Sequence, residues 1–281
     1  MIYSYKCLKD ISYAEIKDCF NLAFSDYALP VQLTEEQFRT YLSNSGVDKG
    51  LSYGAFSEDK MIGFILNSCC IYNGEEAVFD AGTGVIPEHR GKRVFTSLFL
   101  FAQQELLKHG VKKYYLEVLQ NNHNAIHAYE KQGFIPLQEL YVLKLSVNGK
   151  NAVDSATEYI GLEQFDFSKA NHCLLVQPSF EHCTNILIRT PSLYHVSYRK
   201  NDKGIAAFCV FSNENGNVMQ LGYTDINELK KIIQWLTSKF NSIIMKNIDK
   251  KYNSVLEMLH LLGAVEVARQ FEMAKDLNVS L

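Results

Sequence analysis

The stretch that most constrains the fold is residues 80–134, which has the pattern strand, loop, helix, strand, helix. Its first helix is predicted over 94–109, because apolar side chains recur there at intervals of three and four residues. Gly110 and Gly133 follow the two helices, as is typical of helix ends. A helix that begins in a loop directly after a strand has unpaired backbone N–H groups at its positive end, which favours binding of a phosphate. The basic side chains near that helix start are Arg90, Lys92 and Arg93.

Two segments of this stretch resemble the GNAT superfamily, the acyl-CoA-dependent N-acetyltransferases. Residues 85–92, Val-Ile-Pro-Glu-His-Arg-Gly-Lys, resemble the family's pyrophosphate loop. Residues 122–134 match the family pattern N-x-x-A-x-x-x-Y-E-K-x-G-F at every fixed position. The loop departs from the pattern at two positions, since Arg93 stands where the family has Gly and Phe95 where it has Gly or Ala. Side chains there narrow the approach of a pyrophosphate to the backbone.

The resemblance implies that acetyl-CoA is the cosubstrate and that this loop holds its pyrophosphate. Main-chain groups of Gly84 and Val85 would bind the pantetheine arm, and Asn122 would contact the cofactor as well. A role of Asn122 as a helix cap stays open. The residues with an implied cofactor role are Gly84, Val85, Arg90, Gly91, Lys92, Arg93, Val94, Phe95, Thr96 and Asn122.

The resemblance also implies that Tyr129 is the general acid that protonates the departing thiolate, since a phenol has a pKa near ~10. Alternatively, Tyr129 is an aromatic residue of the hydrophobic core without a catalytic role. The general base is predicted to be Asp80 or Glu117, which both lie in predicted strands near the expected thioester, although a chain of water molecules serves as the base in some members of the family. Because burial of an unpaired acid is costly, an ion pair with a nearby cation is the alternative for both.

The helices that follow the first strand flank the acceptor groove in this family. Here Ser12-x-x-Glu15 and Thr34-x-x-Gln37 predict such helices over 13–24 and 34–42. Asp26 and Tyr27, in the loop between them, are therefore predicted to contact the acceptor. Alternatively, Asp26 is only a turn residue and Tyr27 only an aromatic at the rim of the groove. The expected acceptor is an amine on a small molecule or a peptide.

Composition excludes several classes of protein. The chain has 281 residues, of which 47% are hydrophobic and 21% charged, so it is predicted to be globular. A net charge of −3 argues against a nucleic-acid-binding protein. The absence of a long apolar run or a signal-peptide core predicts a cytoplasmic protein with no membrane association. The seven scattered cysteines favour reduced thiols, and the histidines lack metal-ligand spacing, so no metal site is predicted.

The second half of the sequence repeats the first in outline. Residues 57–62 align with 200–205, and Asn215-Gly216 parallels the hairpin turn predicted at Asn73-Gly74. The weakly patterned residues 146–170 are predicted to be a linker. We therefore expect an α+β protein of two tandem GNAT-like domains, 1–147 and 148–281. Each is expected to have a mixed, mostly antiparallel central sheet flanked by helices.

The second copy is predicted to lack a cofactor site. Its sequence runs from Gly222 into the next helix without an Arg-Gly-Lys segment, and Asp225 at that helix start would repel an anion.

Two functions of different kinds follow from these patterns. The first is acetyl transfer from acetyl-CoA to a primary amine, by direct attack in a ternary complex. The second is a non-catalytic acyl-CoA-binding or scaffold protein of the same fold, which the side chains of Arg93 and Phe95 favour. Transfer to an oxygen nucleophile or of a longer acyl group is a further alternative, and a homodimer formed through strand edges is left open.

Overall fold

The computed structural model describes residues 2–26, 31–146 and 157–278. The chain forms two compact units, which are discontinuous in sequence. Unit 1 comprises Met1–Glu117, Asn122–Ile135 and Met273–Leu281, and unit 2 comprises Val118–Asn121 and Pro136–Glu272. Unit 1 therefore takes its last segment from the second half of the sequence, and unit 2 takes its short first segment from the first half. The domain division predicted above, 1–147 and 148–281, stays a prediction.

Unit 1 has a mixed sheet flanked by helices. Its strands are β1 (Tyr3–Cys7), β2 (Tyr53–Ser57), β3 (Lys60–Tyr72), β4 (Glu75–Val85) and β5 (Lys113–Leu119). Its helices are α1 (Tyr13–Ala23), α2 (Glu35–Asn44), α3 (Val94–Lys108) and α4 (His123–Glu130). The strands from β1 to β4 pair in order and antiparallel, whereas β5 runs parallel to β4.

Unit 2 has a similar mixed sheet. Its strands are β6 (Ile135–Ser146), β7 (Glu158–Gly161), β8 (Tyr194–Asn201), β9 (Gly204–Ser212), β10 (Val218–Tyr223), β11 (Ser242–Asp249) and most of β12 (Val265–Asp276). Its helices are α5 (Thr184–Leu187), α6 (Ile226–Lys239) and α7 (Asn253–Leu261). From β6 the order is β11, β10, β9, β8 and β7, and only the β10–β11 pair among these is parallel. The α+β fold of two repeated units is therefore confirmed.

Local sequence signals fix the ends of several elements. Ser12 caps α1 by accepting a hydrogen bond from the Glu15 N–H at 3.1 Å, and Thr34 and Gln37 form a reciprocal capping box at α2. The predicted hairpin between β3 and β4 is present, with a positive φ at both Asn73 and Gly74.

The linker predicted over 146–170 is wrong in its described part, because residues 158–161 form strand β7. This strand pairs with β8, and Leu162 directly after it is buried. Strand β7 was not predicted because it has only four residues and its burial does not alternate.

A buried polar network around Asn67 fixes β3 within unit 1. The Asn67 side chain donates to the Leu51 carbonyl and accepts from the Tyr114 hydroxyl of β5, while its backbone N–H donates to Ser52 Oγ at 2.9 Å. Asn67 is fully buried, so each of these polar groups needs its partner. The network joins β3 to β5 and to the turn before β2.

We expect Tyr114→Phe to lower the free energy of unfolding by about 1–3 kcal/mol, because it leaves the buried Asn67 Oδ1 without its donor. Denaturant unfolding followed by far-ultraviolet circular dichroism measures the change. Tyr5→Phe is the matched control, since the half-buried Tyr5 hydroxyl makes no hydrogen bond among the described residues. Equal stability of the two variants would contradict a stabilising role for the network.

Candidate active site

A bulge in β4 shapes the candidate site. Asn67 pairs with Asp80, and the residue before it on β3 pairs with Gly82, so Ala81 is an extra residue in β4. The hydroxyl of Tyr41, in α2, donates to the Ala81 carbonyl. A bulge bends its strand and changes the direction of the side chains beside it. The Asp80 carboxylate lies at this bend.

Strands β4 and β5 pair over a short stretch only. Their register covers Ala77–Phe79 and Lys113–Tyr115, although β4 continues to Val85 and β5 to Leu119. Residues 80–85 of β4 therefore have a strand edge that is not paired with β5. Gly84 and Val85, the predicted pantetheine contacts, both lie in this stretch. Glu117, the second predicted base, is half-buried in β5, two residues beyond Tyr115, the last β5 residue in the register with β4.

Asp80 and Tyr129, the predicted base and acid, are in direct contact. The Tyr129 hydroxyl donates to Asp80 Oδ2 at 3.2 Å. The same carboxylate accepts from Thr83 Oγ1 at 2.7 Å and from the Gly82 N–H at 3.0 Å. Burial raises the pKa of Asp80 to about 6, although all three hydrogen bonds act to lower it. Asp80 thus changes charge near neutral pH.

Aromatic contacts hold the ring of Tyr129. Phe95, in the first turn of α3, contacts it edge to face with ring centroids 5.6 Å apart, and Phe134 contacts it at the same distance. Such contacts orient a ring as well as burying it. Phe95, which departs from the family pattern, therefore packs directly on the predicted acid.

Arg90 binds protein groups on three sides. Its guanidinium donates to the Val85 carbonyl at 2.9 Å, to the Ala23 carbonyl at 2.7 Å, and to both carboxylate oxygens of Asp26 at 2.6 and 3.0 Å. The hydrogen bond from Arg90 lowers the pKa of Asp26. Arg90 was predicted to contact the cofactor and Asp26 the acceptor, whereas the two residues form an ion pair that joins the loop to α1. Tyr27, the other predicted acceptor contact, lies outside the described residues.

The start of α3 has the features of an anion site. Its cap residue, Arg93, has a left-handed backbone with φ of 60° and makes no side-chain cap. A non-glycine residue in that conformation costs roughly 1–2 kcal/mol, which accounts for glycine in the family pattern. The first helical hydrogen bond runs from the Ser97 N–H to the Arg93 carbonyl. The N–H groups before it are free of helical partners, and they belong to Val94, Phe95 and Thr96.

The loop before α3 leaves room in front of its backbone. Gly91 has a φ of 70°, and no atom lies within 4 Å of the position that a Cβ would take there. Gly91, Lys92 and Arg93 are exposed. The ammonium group of Lys92 donates to the Glu88 carbonyl at 2.7 Å, which keeps a positive charge beside the loop. These features fit a bound phosphate.

Asn122 lies at the start of α4, where its side chain accepts a hydrogen bond from the Ala125 N–H at 3.2 Å. The capping alternative for Asn122 is thus the one observed in the structure. Its predicted contact with the cofactor stays a prediction.

Unit 2 repeats the bulge with different side chains. Val218 of β10 pairs with β9 and is followed by the extra residue Met219, as Asp80 is followed by Ala81 in β4. Val218 therefore has the position of the predicted base. Asp225 caps α6 by accepting from the Asn227 N–H at 2.8 Å, so a carboxylate lies at the helix start that corresponds to α3.

The chain itself fills the space beside β10 in unit 2. Segment 173–182, which precedes α5, contacts β10 through Gln220, whose side chain donates to the His182 carbonyl at 3.0 Å. It contacts the start of α7 through the Tyr252 hydroxyl, which accepts from the Val176 N–H at 3.2 Å. It contacts β11 through the Asn247 side chain, which donates to Ser179 Oγ at 3.1 Å. The space beside β10 and β11 is therefore occupied by this segment.

The described residues contain neither a metal-ligand cluster nor a membrane-spanning helix. No group of three or more His, Cys, Asp or Glu side chains in residues 2–26, 31–146 and 157–278 could hold a metal ion. No helix in the same ranges is long and apolar enough to cross a membrane.

Part of the chain matches a known protein family, and its fold is similar to those of several solved structures. Residues 13–134 match the profile of the Acetyltransferase (GNAT) family. A GCN5-related N-acetyltransferase from Sphaerobacter thermophilus has a similar structure, with a TM-score of 0.67 and 12% identity over 99% of this chain and 97% of that one. A putative acetyltransferase from Pyrococcus horikoshii has a TM-score of 0.68 and 15% identity over 98% of this chain and 89% of that one. A tandem GNAT protein from the clavulanic acid biosynthesis pathway has a TM-score of 0.61 and 12% identity over 100% of this chain and 99% of that one. A search of curated proteins gave no sequence match.

We expect Tyr129→Phe to raise the pKa of Asp80 above its native value of about 6, because the variant loses a hydrogen bond that stabilises the carboxylate. Nuclear magnetic resonance titration of carboxyl-labelled aspartate measures both midpoints. Tyr141→Phe is the control, since Tyr141 lies in unit 2. A titration midpoint that is the same in Tyr129→Phe and in the native chain would contradict the contact.

Proposed function

We propose that the chain is an acetyltransferase of the GNAT family, whose profile matches residues 13–134, and that unit 1 transfers an acetyl group from acetyl-CoA to a primary amine. The observation that carries this proposal is the hydrogen bond between Asp80 and Tyr129 beside the β4 bulge. Amine acylation through a thioester needs a base for the amine and an acid for the thiolate. These two residues supply both functions at one point in unit 1.

The start of α3 would bind the pyrophosphate of acetyl-CoA. The uncapped N–H groups of its first turn and the open space at Gly91 support this assignment. Lys92 and Arg93 would add positive charge. Arg90 would act indirectly, since its contacts with Val85 and Asp26 keep the loop beside the end of β4. The edge of β4 at residues 80–85 would accept the amide-containing pantetheine arm in the manner of an added strand.

Asp80 would accept the proton that the attacking amine loses. With a pKa of about 6 it is mainly ionised at neutral pH, yet basic enough to take the proton as the nitrogen–carbon bond forms. Tyr129 would donate its phenolic proton to the sulfur as the carbon–sulfur bond breaks. The 3.2 Å contact between the two residues would then allow the proton on Asp80 to restore the phenol. The cycle thus returns both residues to their starting state.

A second function, acyl-CoA binding without transfer, is supported by Phe95. Its ring packs on Tyr129 and occupies space where the family pattern has a residue with no or a very small side chain. In that case the phenol would serve to close the site and would not reach a thiolate. Turnover separates the two functions, since both predict binding of acetyl-CoA.

The acceptor is proposed to be an amine on a small molecule or a peptide. Neither the residues at the site nor the net charge of −3 favours a nucleic acid. The seven cysteines are free thiols, which supports a reducing compartment such as the cytoplasm.

We expect one acetyl-CoA to bind per chain with micromolar affinity, because segment 173–182 fills the groove of unit 2. Isothermal titration calorimetry measures affinity and stoichiometry. Gly91→Glu should abolish binding by adding a negative charge at the loop, and Tyr129→Phe should keep it. Gly91→Ala is the matched control, since it carries the same positive-φ strain without charge. A stoichiometry of two would contradict the filled groove, and no binding at millimolar acetyl-CoA would contradict the proposed function.

We expect kcat/KM to rise as the pH increases through about 6, because only the ionised form of Asp80 accepts a proton. Asp80→Asn should lower kcat by roughly 10²–10⁴-fold, which is the usual contribution of a general base. Steady-state rates from pH 5 to 8 measure both effects. Glu117→Gln is the comparison variant for the other predicted base. A large loss in Glu117→Gln together with an active Asp80→Asn would assign the base to Glu117.

A further inference from the structure

Lys275 is a buried cation far along the sequence from the candidate site. It lies near the end of β12 but belongs to unit 1, and only 4% of the residue is exposed. Its ammonium donates to the backbone carbonyl of Gln132 and lies 6.0 Å from the ring centroid of Phe99. Among the described residues no carboxylate forms an ion pair with it, and burial lowers its pKa. A buried amine without a counter-charge is costly, so its position needs a specific reason.

The acceptor of this hydrogen bond lies in the turn that ends α4. The Gln132 and Phe134 N–H groups both donate to the Tyr129 carbonyl, at 2.9 and 3.2 Å, and close the turn around it. The carbonyl groups at a helix end lack helical partners and lie at the negative end of the dipole. An ammonium group that binds there therefore holds the turn directly after Tyr129.

Helix α4 has few other anchors. None of its residues is fully buried, so its packing against the rest of unit 1 is shallow. The phenol of Tyr129 lies 3.2 Å from Asp80, which is slightly longer than the usual hydrogen bond between oxygens. A small displacement of α4 would therefore separate the two groups.

The segment that carries Lys275 is itself held firmly in unit 1. Asp276 forms an ion pair with Lys113 of β5 at 3.0 Å. The Leu277 N–H donates to the Lys112 carbonyl at 2.9 Å, and the Gln103 side chain donates to the Leu277 carbonyl at 3.2 Å. These contacts hold the backbone that follows Lys275 against β5 and α3.

We infer that Lys275 is a positioning residue, which holds the end of α4 so that the Tyr129 phenol meets Asp80. The inference rests on the proposed function of unit 1. It also means that the last described residues of the chain, 273–278, complete a site whose other residues lie before residue 135.

The test uses the full chain with Lys275→Met, which keeps the size of the side chain and removes its donor. We expect kcat to fall about 10–100-fold through misplacement of the phenol, with the KM for acetyl-CoA unchanged. The rise of kcat/KM with pH should move to higher pH, because Asp80 loses the hydrogen bond from Tyr129. The other groups that face Asp80, which are Thr83 and Gly82 on β4 and Tyr114 on β5, stay in place.

Two control variants distinguish positioning from general stability. Lys275→Arg keeps a positive donor and should restore most of kcat. Lys108→Met makes the same change of side chain at an exposed lysine of α3, where it breaks an ion pair with Glu105, and should leave kcat and the pH profile native. Lys275→Met added to Tyr129→Phe should have no further effect on kcat, because the phenol that it positions is already absent. If the double variant loses kcat by the product of the two single losses, the inference is overturned. A native kcat and pH profile in Lys275→Met would overturn it as well.

Failure of the proposed function would look different. If the native chain transfers no acetyl group, nuclear magnetic resonance titration of Asp80 still tests Lys275. The midpoint should rise in Lys275→Met as it does in Tyr129→Phe, and an unchanged midpoint would overturn the inference. If Lys275→Met does not fold, Lys275→Gln is the second variant, since its shorter amide does not reach Gln132 and the same two outcomes apply.

Discussion

The bulge at Ala81 in β4 is the constraint on which the site in unit 1 depends. It is held by the register with β3 on one side and by the Tyr41 hydroxyl on the other. Because the strand bends there, the Asp80 carboxylate meets hydrogen-bond donors from its own strand and from α4. Burial then outweighs those donors and raises the pKa of Asp80 to about 6. The bulge thus accompanies a carboxylate whose pKa lies near neutral pH, as the proposed proton transfer from an amine requires.

The two units show that this backbone feature is not sufficient for a site. Unit 2 has the same bulge, but Val218 replaces the carboxylate and Asp225 caps the helix that corresponds to α3. A segment of the chain also fills the groove beside β10, with Gln220 and Tyr252 bonded to its backbone. These contacts satisfy polar groups of β10 and of the start of α7 within the protein. Unit 2 therefore repeats the fold of unit 1 without its carboxylate and with different surroundings for the bulge.

Prediction from sequence succeeded where the information is local and failed where partners are distant in sequence. Helix starts at Ser12 and Thr34 were predictable, since each cap needs only a residue three positions later. The ion pair of Arg90 with Asp26 was not, because both residues had separate predicted roles and 64 positions lie between them. The short strand β7 was missed for another reason, since four residues carry too little periodicity to be recognised.

The sequence by itself determined the elements of unit 1 and the family of residues 13–134, because periodicity, caps and motif spacing act within a few residues. Only the tertiary structure decided which polar groups meet. Asp80 and Tyr129 are 49 positions apart, and Lys275 and Gln132 are 143 apart, so no local pattern links them. Those pairs arise because each buried polar group must find a partner when the sheet and helices pack together. The chemistry of the site is therefore a property of the packed unit.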